Sequence, residues 1–342
     1  MNSPENETRR MAWIHVHVPK AGGSTLRQLF NRNFGEGFYN SNSLLETKQY
    51  TCEDVSEIVR CHPWLRCFSD HKLSLDLPYD HEDAQVMAIC FVRDPVERFI
   101  SRYFFHRNFE EVACIAQRMS FRDFAEEELV KGYTHPQTNS QIYFLNGGQS
   151  FDDMTLINNA LATGQAYLFP IERFDEACIC LERLFPDSFK DLSYVRTNVS
   201  KKDTVIDPDD QQFVADYLSK DQPVWDLANR FLNESLKRAF DSIEAREERL
   251  KAFRELCGRR YHNFQPPRPV GSETPPVPHQ IVESPGATDS ASIRHRSSNR
   301  IHNEPTAQAN GNSGSPNTPQ ETSSGNDAVE PATGSTPATP GN

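Results

Sequence analysis

The sequence predicts an α/β fold, a three-layer sandwich whose central, mostly parallel sheet is flanked by helices. Three observations predict it. A β-branched run, Trp13–Val18, ends in a glycine turn that opens a helix. A second apolar run, Gln85–Val92, enters Arg93-Asp94-Pro95 and a second helix. A third run, Ala166–Phe169, is followed at once by a helical pattern from Phe174 to Leu184. Strands that alternate with helices in this way pair in parallel and place the helices on the sheet faces.

Each element has its own signal. Behind the turn Pro19–Ser24, the segment Thr25–Phe34 carries Leu26, Leu29 and Phe30 at helical spacing. In the second unit Asp94 is an N-cap, Pro95 suits the first helical position, and Glu97 completes a capping box with Asp94. Phe99, Ile100, Tyr103 and Phe104 then form the apolar stripe of a helix that runs to about Asn108. Further helices are expected over residues 121–130, 136–145, 152–162 and 209–218, and a long helical stretch over 224–259.

Composition divides the chain. Of 342 residues, those from about Gln265 onward include no Phe, Tyr or Trp and are dominated by Pro, Ser, Thr, Gly and Asn. Such a segment cannot bury enough apolar surface to offset its ordering entropy, so 264–342 reads as a disordered tail. Residues 1–10 read as a flexible N-terminus and 11–263 as the folded domain, large enough for one substantial core. A net charge of −12 argues against a general nucleic-acid binder, while leaving room for a local basic cleft.

The N-terminal segment has no signal-peptide pattern, and the longest apolar run, Val86–Val92, is far too short for a membrane span. A cytoplasmic chain is expected, with its 8 cysteines as free thiols. No pair of cysteines has CxxC spacing, so no structural metal is expected.

Chemistry concentrates in two segments. Val18-Pro19-Lys20-Ala21-Gly22-Gly23-Ser24-Thr25 joins a strand to a helix through glycines, which presents backbone amides and the positive helix end to an anion. Lys20 adds a formal charge, and Ser24 and Thr25 add hydroxyl donors. A nucleotide-hydrolysing loop reads GxxxxGK[ST]; here the lysine precedes the glycines, and no GK[ST] occurs anywhere. The alternative for this loop alone is an ordinary tight turn beside a surface lysine.

The order of residues resembles the 5′-phosphosulfate loop of sulfotransferases. The second segment, Arg93-Asp94-Pro95-Val96-Glu97-Arg98-Phe99-Ile100-Ser101-Arg102-Tyr103, resembles the 3′-phosphate motif of the same enzymes, about 70 residues beyond the lysine loop. Gln137-Thr138-Asn139-Ser140-Gln141-Ile142-Tyr143-Phe144-Leu145-Asn146-Gly147 is similar to the family's Q-x-x-x-L-x-G helix. Ile171–Glu176 is similar to its ERFDE-type join, and Thr197–Lys202 to its N-x-S segment. The nearest resemblance is to carbohydrate sulfotransferases that include heparan sulfate 2-O-sulfotransferase, many of which carry a membrane anchor.

The resemblance implies a P-loop-like fold and a donor, 3′-phosphoadenosine 5′-phosphosulfate (PAPS), that leaves as 3′-phosphoadenosine 5′-phosphate (PAP) with no metal. The backbone of Ala21, Gly22, Gly23, Ser24 and Thr25 would cradle the 5′-phosphate and sulfate, with Lys20 on the leaving group. Arg93 and Ser101 would hold the 3′-phosphate. Phe68–Leu73 resembles a segment whose second histidine is the base in the 2-O-sulfotransferases, which places that role on His71; the family's first histidine is Ser69 here. A neutral imidazole suits proton removal near pH 7. His62, Glu53 and Asp54 are fallback bases; His15 and His17 alternate on the first strand apart from that loop, and one or both read as sitting on structural faces. The partner is then a hydroxyl-bearing acceptor, a glycan by resemblance. A nucleotide kinase would need the missing GK[ST] lysine, and a non-catalytic nucleotide-binding module is the remaining alternative.

Overall fold

The computed structural model describes residues 9–41, 49–108, 118–131, 140–195 and 204–263. The tail expected over 264–342, the segment Gln137–Asn139, Thr197–Lys202 and Cys114 lie outside the described residues.

Five parallel strands make the sheet: β1 (Arg10–Val16), β2 (Phe38–Asn40), β3 (Cys67–Asp70), β4 (Ala84–Val92) and β5 (Ala166–Pro170), in the order β2-β3-β1-β4-β5. Strand β1 is central, with Trp13 beside Cys67 of β3 and beside Met87 of β4. It begins at Arg10, whose guanidinium donates to the carbonyls of Leu65, at 2.7 Å, and of Val59. The α/β class is as the sequence predicts, and the sheet is wholly parallel.

Helix α1 (Gly23–Phe34) carries the chain from β1 to one edge, whereas the later crossovers travel toward the other edge. Right-handed crossovers in opposite directions fall on opposite faces. On the α1 face Phe30 meets His15, Trp13 packs against Phe185 and Phe189, and Phe91 meets Phe174 of α7 (Phe174–Leu184). Phe231 of α9 (Gln222–Ala239) closes over Tyr167 and Phe169 of β5. The opposite face begins with Tyr50 against Phe68 and continues through α2 (Cys52–Cys61) to α6 (Thr155–Ala162). A satellite core joins α3 (Pro95–Asn108), α4 (Phe121–Ala125) and α8 (Pro208–Tyr217) around Phe99, Tyr103 and Phe124.

Several local outcomes differ from the pattern. The expected long helical stretch over 224–259 is two helices, α9 and α10 (Ile243–Asn263), because Phe240 turns extended and the Ser242 hydroxyl caps the next start by accepting from the Ala245 amide. Residues 126–130 form a wider π-type turn after α4. Within the expected helix over 136–145, the described part is α5 (Gln141–Leu145). Among the described residues, no helix is long and apolar enough to cross a membrane. All seven described cysteines are free thiols.

Candidate active site

In a parallel sheet, ligands bind beyond the carboxyl ends of the strands, where the direction of the crossovers reverses. Here that point lies above β1, with β3 and β4 on either side. Three sequence segments singled out for chemistry therefore meet at one rim: the turn after β1, His71 after β3, and Arg93 after β4.

The turn after β1 is under strain. Lys20 is the one non-glycine among the described residues with positive φ, at 66°, a conformation that costs on the order of 1–3 kcal/mol and persists where surroundings enforce it. Gly22 follows at φ 86° as the N-cap of α1, with a virtual Cβ only 2.5 Å from Ile171 Cδ1. Gly23 serves a different need. A Cβ there would lie 1.7 Å from Nε2 of His17, so this glycine makes room for an imidazole. Within the turn the Ala21 amide donates to the Val18 carbonyl, and the Thr25 amide donates to Gly22. Among the described residues the amides of Gly22 and Gly23 meet no acceptor; the side chain of Ser24 is exposed and that of Thr25 half-buried.

Four cations crowd this rim in a chain of net charge −12. The ammonium of Lys20 lies 3.8 Å above the Phe105 ring on α3. Burial, then the charges of Arg93, Arg102 and Arg98, bring its pKa down to about 8. Arg98 is buried and donates from Nε to the Pro19 carbonyl at 3.0 Å; burial brings its pKa down to about 10, against the pull of Asp221. Arg102 pairs with Glu128 at 2.8 Å, both side chains being largely shielded from solvent.

Arg93 reaches the Lys20 carbonyl at 3.4 Å and Glu97 at 3.3 Å, with Glu172 at 3.9 Å. The expected capping box is therefore half made. Asp94 accepts from the Glu97 amide at 2.9 Å, but the Asp94 amide donates to Glu172, because Glu97 turns toward Arg93. Ser101 lies half-buried on α3, about two turns beyond Arg93.

The third element is a stack of imidazoles. His17 and His71 lie 3.8 Å apart at 25°, and His15 lies 5.1 Å beyond His17 at 24°. His15 is buried and bonded through Nδ1 to the Ser69 hydroxyl at 2.7 Å. That contact turns Ser69 inward, away from the rim. Burial lowers the pKa of His15 to about 3 and drives that of His17 well below the usual histidine range, with the neighbouring histidines adding to both effects. His71 ends the stack with its outer surface exposed, yet its Nδ1 is 2.9 Å from the His17 carbonyl. A carbonyl only accepts, so Nδ1 carries the proton and Nε2 keeps its lone pair. Desolvation lowers the His71 pKa as well, partly opposed by that bond and by Asp70, so the ring is neutral at pH 7.

The fallback bases serve elsewhere. Asp54 closes a capping box with Thr51 at the start of α2, Glu53 shares that first turn, and His62 ends the helix with its ring against Trp64. Sequence reasoning missed His17 as part of the site. Its signal was the glycine six residues on, whose missing side chain the imidazole occupies.

The arrangement can hold an anion between amides and cations while a neutral imidazole takes a proton beside it. No curated protein matches the chain. Among solved structures, a sulfotransferase from Alicyclobacillus acidocaldarius is similar at 17% identity and a TM-score of 0.38, over 67% of this chain and 99% of that one. A family model described as the sulfotransferase family matches residues 8–214, a span that contains the lysine loop, His71 and the Arg93 helix. On that match the chain belongs to the sulfotransferase family.

Proposed function

We propose that the protein transfers a sulfuryl group from PAPS to an acceptor hydroxyl, and that the acceptor is a carbohydrate. The observation that carries the reading is the convergence of Lys20, His71 and Arg93 beyond three adjacent strands. The residues fit the donor. Gly22 and Gly23 offer amides at a helix start, and Lys20 offers an ammonium that pairs with no carboxylate among the described residues. Arg93, one strand over, offers a planar fork for a second phosphate, with Ser101 on the helix that follows. PAPS bound there would supply an activated sulfuryl group.

Lys20 stabilises the charge that develops on the leaving phosphate oxygen, which is the largest electrostatic demand of an in-line displacement. His71 accepts the acceptor's proton at Nε2 while its Nδ1–H stays on the His17 carbonyl. Arg93 distinguishes PAP from adenosine 5′-phosphate by the 3′-phosphate alone. Glu97 and Glu172 hold the Arg93 fork in place and give way to that phosphate.

The test is release of PAP from PAPS across a panel of glycans with free hydroxyls. At least one should accelerate release by about 10²-fold or more over the acceptor-free rate, the scale of general-base assistance. Tight PAP binding with no acceptor-dependent release from any hydroxyl class would instead make the chain a nucleotide-binding module.

The pH dependence follows from the two shifts. His71 works as the neutral base, so kcat/KM rises as pH climbs through a value below 6.5. Lys20 works as the ammonium, so kcat/KM falls as pH passes about 8. Lys20→Arg should remove the alkaline limb, since a guanidinium stays charged; an unchanged limb would assign it to another group.

A further inference from the structure

Arg93 is held by its backbone as well as its side chain. Gln141, fully buried at the start of α5, accepts from the Arg93 amide at 2.8 Å and donates to the Arg93 carbonyl at 2.7 Å. The peptide groups on either side of the Arg93 Cα are thereby fixed by one side chain from 48 residues away. Gln141 is itself held in turn. The carboxylate of Asp221, 2% exposed, accepts from the Gln141 amide at 2.6 Å, the Ile142 amide at 3.2 Å and the Ser140 hydroxyl at 3.0 Å. Three donors at a helix start from one buried carboxylate leave α5 little freedom to rotate.

Asp221 has a second reach. Its negative charge also acts on buried Arg98, which donates to the Pro19 carbonyl, one residue before Lys20. A chain of hydrogen bonds therefore runs from Asp221 through Gln141 to Arg93, and Arg98, which feels the Asp221 charge, is bonded to the strained Lys20 turn. Asp221 lies beyond the residues that the family model matches. It stands at the join of the short turn Ser219–Asp221 with α9.

We propose that Asp221 is a positioning residue that holds the Arg93 fork and the Lys20 turn at a fixed separation, and so sets the preference for a nucleotide phosphorylated at both ends. The proposal rests on the nucleotide site proposed above. The ordering of two anion sites by one carboxylate has a specific signature. Loss of Asp221 or Gln141 should weaken PAP more than adenosine 5′-phosphate, because only PAP needs both elements in register. Generalised loosening would weaken the two ligands alike.

The experiment is calorimetric binding of PAP and of adenosine 5′-phosphate to wild type, Arg93→Ala, Gln141→Met and Asp221→Asn, each checked for folding by thermal melt. Wild type should prefer PAP, and Arg93→Ala should lose that preference; failure of either sinks the nucleotide site itself. Given both, Gln141→Met and Asp221→Asn should reduce the PAP preference at least tenfold while adenosine 5′-phosphate affinity moves less than threefold. A preference within twofold of wild type in both variants overturns the proposal. If Asp221→Asn does not fold, Gln141→Met decides alone, because it leaves the Asp221 bonds to the α5 amides in place and cuts only the arm to Arg93.

Discussion

His71→Ala should lower kcat by about 10²–10⁴-fold, the span of a lost general base, and leave PAP affinity within about threefold of wild type. The split follows from where the ring sits. Its inner face rests on His17 and its Nδ1–H is committed to the His17 carbonyl, which leaves Nε2 as the nitrogen with a lone pair to use. Nothing in that arrangement binds a phosphate, so the nucleotide should not notice the loss. His71→Asn offers a refinement: its amide can still donate to the His17 carbonyl but cannot take a proton near pH 7. Both variants should lose the acid limb of the pH profile. A His71→Ala enzyme with wild-type kcat would remove this histidine from the reaction.

The second large effect is expected at a residue with no side chain. Gly23→Ala places a methyl group 1.7 Å from Nε2 of His17, and that ring has little freedom to withdraw, with His71 against one face and His15 beyond. Overpacking of this kind costs about 1–3 kcal/mol and at times more, which for a domain of this size lowers Tm by several degrees. Displacing His17 also removes the surface on which His71 rests, so kcat should fall together with Tm. Gly258→Ala supplies the opposite sign. It lies in α10 with nothing within 4 Å of an added Cβ, and the gain in helix propensity should stabilise by up to about 1 kcal/mol. Differential scanning calorimetry of the two variants reads both. A wild-type Tm and kcat in Gly23→Ala would show that His17 moves aside freely and that the stack is not a constraint.

The elements legible in the sequence were those whose signal is local. The run Trp13–Val18, the Asp94 cap with Pro95 and the stripe from Phe99 to Phe104 each declare themselves within a few residues. Strands β2 and β3 did not. They are three and four residues long, and β3 buries Ser69 and Asp70 beside Cys67 and Phe68, so neither alternation nor an apolar run marks it. Helix α2 has a readable cap in Thr51 and Asp54, but its buried stripe is only Val55 and Val59, too short to mark a helix by periodicity. The break at Phe240 was hidden because the residues on both sides favour helix.

At the site, Lys20, the two glycines, His71 and Arg93 could be named from spacing and resemblance, and the fold brings them to one rim. The reasons for some of them could not be read. Gly23 reads in the sequence as part of the anion-cradling turn, and the structure adds a second reason for it, since the space of its missing Cβ is taken by His17. Glu172 taking the place of Glu97 in the Asp94 cap, Gln141 bridging both peptide groups of Arg93, and Asp221 behind it are contacts between segments 48 to 81 residues apart. Such contacts are fixed by the packing of α5 and α9 and leave no local pattern.

Whether the protein reads the 3′-phosphate is decided by calorimetric titration of the wild-type chain and Arg93→Ala with PAP, using adenosine 5′-phosphate as the ligand that lacks the 3′-phosphate. The site described here predicts tight PAP binding that weakens by at least an order of magnitude without the 3′-phosphate, and equally when Arg93 is removed. Equal affinity of the wild-type chain for the two nucleotides, or full PAP affinity in Arg93→Ala, would contradict it.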